Sequence, residues 1–149
     1  MSGPILPRPV QQNQLSPRAF RPGPAPSPAR ILVVDDDPIL SRLMAMLLAG
    51  AGYQVDTAGD GEQGWTALTT KSYDLLMTDN DMPRLKGLGL VQRLRAAGMS
   101  LPVIVVSGSE YVRNFVDDAF LALAAVMPKP FNPQDLVAEV GRACHVTAA

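Results

Sequence analysis

From residue 30 onward, the chain alternates short apolar runs with segments whose apolar residues recur at the period of an α-helix. The five runs are RILVV (30–34), YQVDTA (53–58), YDLLMTD (73–79), PVIVV (102–106) and LAAVM (123–127). RILVV and PVIVV are apolar without alternation after Arg30, as in strands covered on both faces, whereas YQVDTA alternates as an edge strand does. Strands that alternate with helices form a parallel sheet between two helical layers. Because five units do not close a barrel, the sequence predicts an α/β fold, (βα)5, with an open, doubly wound, five-stranded parallel sheet.

The predicted helices begin at recognisable capping residues. Asp37 and Asn132 each precede a proline that suits the first helical position, and Asp60 with Gln63 resembles a capping box. After the fourth strand, a helical period is carried by Val112, Phe115, Val116 and Ala119. We therefore expect an α-helix after every strand, including the fourth.

The first 29 residues differ in composition from the rest. They hold eight of the 14 prolines, three arginines and no acidic residue. This composition predicts a disordered, partly polyproline-II tail over 1–29, which we interpret as a linker rather than a docking arm. A folded domain is expected over 30–145, followed by a short tail over 146–149. Without the first tail, 10 basic and 14 acidic side chains give a net charge of −4, which argues against a nucleic-acid partner.

Cysteine content and hydropathy indicate the compartment. The single cysteine, Cys144, excludes an intramolecular disulfide and fits a reducing environment. No apolar run approaches the roughly 18 residues of a membrane span, and the N-terminus lacks the basic-then-apolar order of a signal peptide. We expect a soluble, cytoplasmic protein without a membrane partner.

Polar side chains stand where the predicted strands end. Asp35 and Asp36 follow the first strand, Asp79 ends the third, Ser107 follows the fourth and Lys129 follows the fifth. The carboxyl ends of parallel strands share one edge, which is where open α/β sheets bind ligands. Taken singly, such residues often only cap helices or form turns. Their joint placement around one edge favours a functional site.

Crowded carboxylates require a compensating positive charge. Two of them at about 4 Å repel by roughly 4 kcal/mol at an effective dielectric constant of about 20. Carboxylates with open positions for water and phosphate describe a Mg²⁺ site, and an ionised aspartate beside the metal can attack a phosphoryl group without a general base. A lysine and a hydroxyl would stabilise the charge on the phosphoryl oxygens. The one histidine, His145, lies near the end of the sequence and argues against a histidine-based triad or a zinc site.

Four segments together resemble the signatures of a response-regulator receiver domain of two-component signalling. They are ILVVDDDP (31–38), DLLMTDNDMP (74–83), LPVIVVSGS (101–109) and MPKPF (127–131). Spacing agrees, because Asp79 follows Asp36 by 43 residues, the hydroxyl follows 28 residues later and the lysine 22 residues after that. The resemblance extends over about 30–145 and implies a single-domain receiver with a flavodoxin-like sheet of strand order 2-1-3-4-5.

The resemblance also implies a role for each site residue. Asp79 would accept a phosphoryl group from a histidine kinase or a histidine phosphotransfer protein. Ser107 would move its hydroxyl onto the phosphate, Lys129 would pair with a phosphate oxygen, and the Lys129–Pro130 bond would be cis. The protein would be a switch rather than an enzyme, catalysing only its own phosphorylation and dephosphorylation. The Mg²⁺ ligands would be Asp35, Asp36, Asp79 and the main-chain carbonyl of Asp81.

Two positions depart from the common receiver pattern. Val126 stands three residues before the lysine, where many receivers carry an aromatic ring that rotates with the hydroxyl. Asp81 adds a carboxylate two residues after the acceptor, and in the family this position and that of Ser109 tune the lifetime of the phosphate. A downstream protein partner of unknown identity would bind the face formed by the fourth predicted helix, the fifth strand and the fifth helix. Candidate contacts on that face are Tyr111, Asp118 and Val126.

Two alternatives belong to other classes of protein. The first is a receiver-fold binding module that works without phosphorylation, whose signature would be a missing acceptor, lysine or acidic pair. The second is a metal-dependent phosphohydrolase with Asp81 as a second acid or base, although the loops over 79–87 and 107–110 are too short to cap a substrate pocket. All the residues needed for a phosphorylatable switch are present, so the sequence favours the switch.

Overall fold

A computed structural model describes residues 28–148, with side chains described as far as Cys144. The tail predicted over 1–29 lies outside these residues except for its last two positions, and the side chain of His145 lies outside them as well. Five parallel strands form one sheet in the order β2-β1-β3-β4-β5. The strands are β1 (Arg30–Val34), β2 (Gln54–Ala58), β3 (Leu75–Asp79), β4 (Val103–Ser107) and β5 (Ala125–Pro128).

Helices follow each strand, which confirms the predicted doubly wound, flavodoxin-like architecture. They are α1 (Pro38–Gly50), α2 (Gly61–Thr70), α3 (Gly87–Ala96), a 3₁₀ helix (Glu110–Phe115) and α4 (Pro133–Ala148). The predicted caps are confirmed. Asp37 Oδ1 accepts the amide of Ile39 at 2.9 Å, and Asp60 Oδ1 accepts the amide of Gln63 at 2.8 Å. These side chains satisfy amides that have no partner within the helix.

The core lies on both faces of the sheet, because successive strand residues point to opposite sides. On one face, Leu32, Leu76 and Val105 pack with side chains of α2 and α3, including Leu68, Leu90 and Leu94. On the other face, Ile31, Met77 and Ile104 pack with side chains of α1 and α4, including Met44, Leu48, Leu136 and Val140. The strands are therefore clamped between two apolar layers, and their carboxyl ends are held in fixed register.

The fourth helix departs from the sequence-based expectation. The predicted α-helix after β4 is a single 3₁₀ helix, and the backbone beyond Phe115 runs through turns to Ala122, whose φ is +50°. Asp118 Oδ1 accepts the amides of Phe120 and Leu121 at 2.9 and 3.0 Å. An aspartate that bonds nearby amides offers the backbone an alternative to the helix, so the apolar period alone was misleading here.

Candidate functional site

Strand register places two of the predicted carboxylates side by side. Val34 pairs with Thr78, so Asp35 and Asp79 lie level at the carboxyl edge of the sheet. Asp35 and Asp79 are each only 2% exposed, whereas Asp36 is exposed. One carboxylate oxygen from each of the three lies within 4.8 Å of the others. Such a set of oxygens matches the ligands that Mg²⁺ prefers.

Lys129 faces this carboxylate cluster. Pro128 pairs with Ser107 across β4 and β5, and the next residue therefore reaches the same edge. Lys129 Nζ lies 3.0 Å from Asp79 Oδ1, and the Lys129–Pro130 bond is cis, as the resemblance implies. Burial disfavours the charged ammonium, but the hydrogen bond to Asp79 and the surrounding carboxylates outweigh it and raise the pKa of Lys129. The lysine therefore stays charged beside Asp79.

The surroundings of Asp35 disfavour the charged form of its carboxyl group. Its Oδ1 accepts the amide of Asp37 at 2.9 Å, but its buried Oδ2 has no hydrogen-bond partner. Burial, together with the nearby charges of Asp79 and Asp36, raises the pKa of Asp35 from 3.8 to about 6, against the opposing effects of the Asp37 amide and Lys129. An unpaired carboxylate oxygen in a buried position is costly unless a cation approaches it.

Ser107 donates a hydrogen bond to the side chain of Asp81, a contact that the sequence does not predict. Its Oγ lies 3.2 and 3.3 Å from the two carboxylate oxygens of Asp81, and the amide of Gly108 donates to Asp81 Oδ2 at 3.1 Å. The hydroxyl also accepts the amide of Ser109 at 3.0 Å. From the sequence, Asp81 was expected to be a main-chain metal ligand, to tune the phosphate lifetime or, in a phosphohydrolase, to act as a second acid or base, but not to bond Ser107. No local sequence pattern predicts a hydrogen bond between two side chains that are 26 positions apart.

The loop between β3 and α3 is fixed on both sides. Asn80, the residue after the candidate acceptor, accepts through Oδ1 the amide of Leu88 in the first turn of α3 at 2.8 Å. Arg84 has a φ of +63° and bonds through Nη2 to Asp60 Oδ2 at 2.6 Å. These contacts tie the loop to α2 and α3, and they hold the segment that carries Asp81 in place.

Glycine is required at the start of α3. A Cβ at Gly87 would stand 2.5 Å from the main-chain oxygen of Asp79. Only a residue without a side chain lets the helix approach the end of β3 so closely. The position of the candidate acceptor therefore depends on this residue as well as on the strand.

The volumes of the clefts do not distinguish the carboxylate cluster from another part of the surface. A cleft of about 560 Å³ opens beside Asp35 and Asp36, between α1 and β2. A cleft of similar size, about 580 Å³, is lined by Arg95, Pro102 and Ala124. The last two directly precede β4 and β5, so this second cleft lies at the amino ends of the strands, away from the carboxylates. None of the described helices has the length and apolar content needed to cross a bilayer.

Comparison with protein families decides the class. The family model for the response regulator receiver domain matches residues 31–141. The chain belongs to this family. Receiver domains serve two-component signalling, in general as phosphorylation-dependent switches rather than as metabolic enzymes, and their partners include histidine kinases or phosphotransfer proteins.

Curated relatives contain this receiver domain within longer chains. Protein RcaC of Microchaete diplosiphon is 33% identical over 111 residues, which are 74% of this chain and 17% of that protein. The transcriptional regulatory protein DltR of Streptococcus agalactiae is also 33% identical over 111 residues, which are 74% of this chain and 50% of DltR. The receiver therefore spans half of the length of DltR and a smaller part of RcaC.

Solved receiver structures share the whole fold. A CheY-like receiver domain protein of Methanospirillum hungatei has a TM-score of 0.76 at 25% identity, with 82% of this chain and 98% of that one covered. The response regulator TrrA of Thermotoga maritima, solved in complex with Mg²⁺ and BeF, has a TM-score of 0.70 at 30% identity, with 77% and 98% covered. These similarities agree with the strand order found here.

Proposed function

We propose that this receiver is a cytoplasmic switch that accepts a phosphoryl group on Asp79 from a phosphohistidine of a histidine kinase or phosphotransfer protein. The observation that carries the proposal is the position of Asp79. Its carboxylate is buried, lies 3.0 Å from the Lys129 ammonium and shares one cluster with Asp35 and Asp36. An ionised carboxylate held beside a cation and a candidate metal site is equipped to act as a nucleophile toward a phosphoryl group.

The residues present fit Mg²⁺. The orphaned Oδ2 of Asp35 is a hard oxygen without a hydrogen-bond partner, and one carboxylate oxygen from each of Asp35, Asp36 and Asp79 lies within 4.8 Å of the others. The main-chain carbonyl of Asp81 would complete the protein ligands. When bound, Mg²⁺ would supply positive charge to the phosphoryl oxygens. The complex of the similar TrrA with Mg²⁺ and BeF supports this assignment.

The transfer is a displacement at phosphorus. Both donors described at the Asp79 carboxylate, Lys129 Nζ and the Asp81 amide, contact Oδ1, so we assign Oδ2 as the attacking atom. As the new P–O bond forms, the P–N bond to the donor histidine breaks. The imidazole nitrogen leaves with that electron pair and takes a proton from solvent. Lys129 holds the charge that develops on the phosphoryl oxygens.

The phosphorylated state would be read by protein contacts or passed on by further phosphotransfer. A phosphoryl group carries close to two negative charges, and Ser107 and Lys129 bind it best when the loops that carry them move toward it. Only Gly108 and Ser109 separate Ser107 from the 3₁₀ helix, whose Tyr111 is 63% exposed. We propose that the face formed by the 3₁₀ helix, β5 and α4 binds the downstream partner.

Mass spectrometry of the intact protein tests the proposal. Incubation with acetyl phosphate and Mg²⁺ is expected to add about 80 Da, one phosphoryl group, to the wild type. Asp79→Asn is expected to gain nothing, while Asp117→Asn, which changes an exposed aspartate outside the site, should behave as wild type.

Two results would overturn the proposal. Failure of the wild type to gain mass both with acetyl phosphate and with a phosphorylated histidine kinase would favour the phosphorylation-independent binding module. Release of phosphate over many turnovers from small phosphate esters would favour the phosphohydrolase.

A further inference from the structure

The Asp81 carboxylate accepts hydrogen bonds from the Ser107 hydroxyl, which the proposed function assigns to the phosphoryl group, and from the neighbouring Gly108 amide. We infer that Asp81 is a positioning residue that holds Ser107 and Gly108 in the resting form, so that phosphorylation must displace its carboxylate before these donors can bind phosphate. The inference rests on the proposed function, since it concerns how the switch on Asp79 is set.

Geometry limits Ser107 to one anionic partner at a time. A serine hydroxyl has a single proton, and in this structure that proton is directed at Asp81, with Oγ 3.2 Å from Oδ1 and 3.3 Å from Oδ2. The lone pairs of Oγ accept the Ser109 amide at 3.0 Å. The hydroxyl therefore cannot donate to a phosphoryl oxygen while the contact with Asp81 persists.

The main-chain amide of Gly108 is a second hydrogen-bond donor to Asp81. Its amide donates to Asp81 Oδ2 at 3.1 Å, so one carboxylate binds two successive residues at the end of β4. Hydrogen bonds to a charged acceptor are stronger than those to a neutral one. A carboxylate with two donors thus holds the loop after β4 in the resting position.

Charge decides the outcome once phosphate is present. A phosphoryl group on Asp79 would bring close to two negative charges into a region that already contains the carboxylate of Asp81. The two anions compete for the same donors and repel one another. Asp81 is itself exposed, so its side chain can turn into water without opening the core.

Beryllofluoride, which imitates a phosphoryl group on a carboxylate, measures this competition directly. At saturating Mg²⁺, Asp81→Ala is expected to bind beryllofluoride about tenfold more tightly than the wild type, because no carboxylate has to be displaced. Asp81→Asn should show a smaller gain, since its amide oxygen accepts the same two hydrogen bonds without the charge. Both variants retain the main-chain carbonyl proposed as a metal ligand. Bound fractions are read by ¹⁹F NMR.

Two controls separate the contact from a general charge effect. Asp117→Ala removes one exposed acidic charge outside the site and should leave the beryllofluoride affinity within a factor of two of wild type. In a Ser107→Ala background, the gain from Asp81→Ala should shrink, because half of the contact is already gone. The Gly108 amide resonance of the resting protein should also move upfield in Asp81→Ala, independently of any phosphate analogue.

Each outcome decides a different point. Tighter binding in Asp81→Ala that depends on Ser107 supports the inference. Equal or weaker binding in Asp81→Ala, with normal binding in the wild type, overturns the inference and leaves the proposed function intact. Absence of Asp79-dependent binding in every variant overturns the proposed function, and the inference with it.

Discussion

At the scale of single residues, Asp35 shows how a site is built at the expense of stability. Its carboxylate is 2% exposed, one of its oxygens has no partner, and its pKa is raised to about 6, mainly by burial. Because the raised pKa lies above the value of an unfolded aspartate, the folded state binds the proton more tightly than the unfolded state. Stability in the absence of metal must therefore fall as the pH rises from about 4 to about 6 and remain lower above that.

Asp35→Asn is expected to stabilise the metal-free protein at pH 8. The shift from 3.8 to about 6 corresponds to about 3 kcal/mol, which sets the upper size of the gain in free energy of unfolding. Asparagine keeps an oxygen for the Asp37 amide and carries no charge. Urea unfolding in EDTA should show the gain at pH 8 and its disappearance near pH 4.

Asp36→Asn serves as the matched control, because Asp36 is exposed. Its effect on unfolding should stay within about 0.5 kcal/mol at both pH values. A pH-independent gain from Asp35→Asn would show that the benefit comes from packing and not from the removed charge.

At the scale of elements, local chemistry in the sequence determined most of the architecture. The apolar runs predicted all five strands to within two residues at each end, and the caps at Asp37 and Asp60 were predicted from residue type together with Pro38 and Gln63. The prediction of an α-helix after β4 was wrong, because Asp118 Oδ1 accepts two amides that would otherwise donate to carbonyls of the helix. That competition depends on the side-chain conformation, which an apolar period does not encode.

Gly87→Ala should disturb the element that positions Asp79, the proposed acceptor. The added Cβ meets the main-chain oxygen of Asp79 at 2.5 Å, so either α3 or the end of β3 must shift. We expect a loss of about 1–3 kcal/mol in the free energy of unfolding, together with slower gain of the phosphoryl group from acetyl phosphate.

Gly50→Ala makes the same chemical change at the end of α1, where a Cβ meets nothing within 4 Å. Alanine there should leave stability unchanged or raise it by up to about 1 kcal/mol, with phosphorylation unaffected. Similar losses of stability in the two variants would argue against the proposed close approach.

At the scale of the whole molecule, parallel strands gather residues that are far apart in sequence. Asp35, Asp79, Ser107 and Lys129 all follow or end strands, so their meeting at one edge was predictable once the sheet was recognised. Finer relations were not predictable. The hold of Asp81 on Ser107, and the pairing of Arg84 with Asp60, depend on how loops fold over that edge.

Mg²⁺ should stabilise the entire domain if the cluster binds it. A ligand that binds only the folded state adds about 2.7 kcal/mol when its free concentration is a hundredfold above Kd. Thermal unfolding of the wild type should therefore shift upward with added MgCl₂, whereas Asp35→Asn should respond much less. KCl at matched ionic strength is the control for general screening, and an equal response of the two proteins to MgCl₂ would rule out the cluster as the binding site.

The hydroxyl at the end of β4 has one more consequence. Ser107 Oγ accepts the amide of Ser109, and Ser109 Oγ in turn accepts the amide of Tyr111, whose ring packs edge-on against Phe115 at 5.2 Å. Hydrogen bonds therefore connect Ser107 to Ser109 and Ser109 to Tyr111. In this chain, where Val126 replaces the rotating ring, these contacts connect Ser107 at the carboxyl edge of the sheet with the exposed Tyr111 and with Phe115.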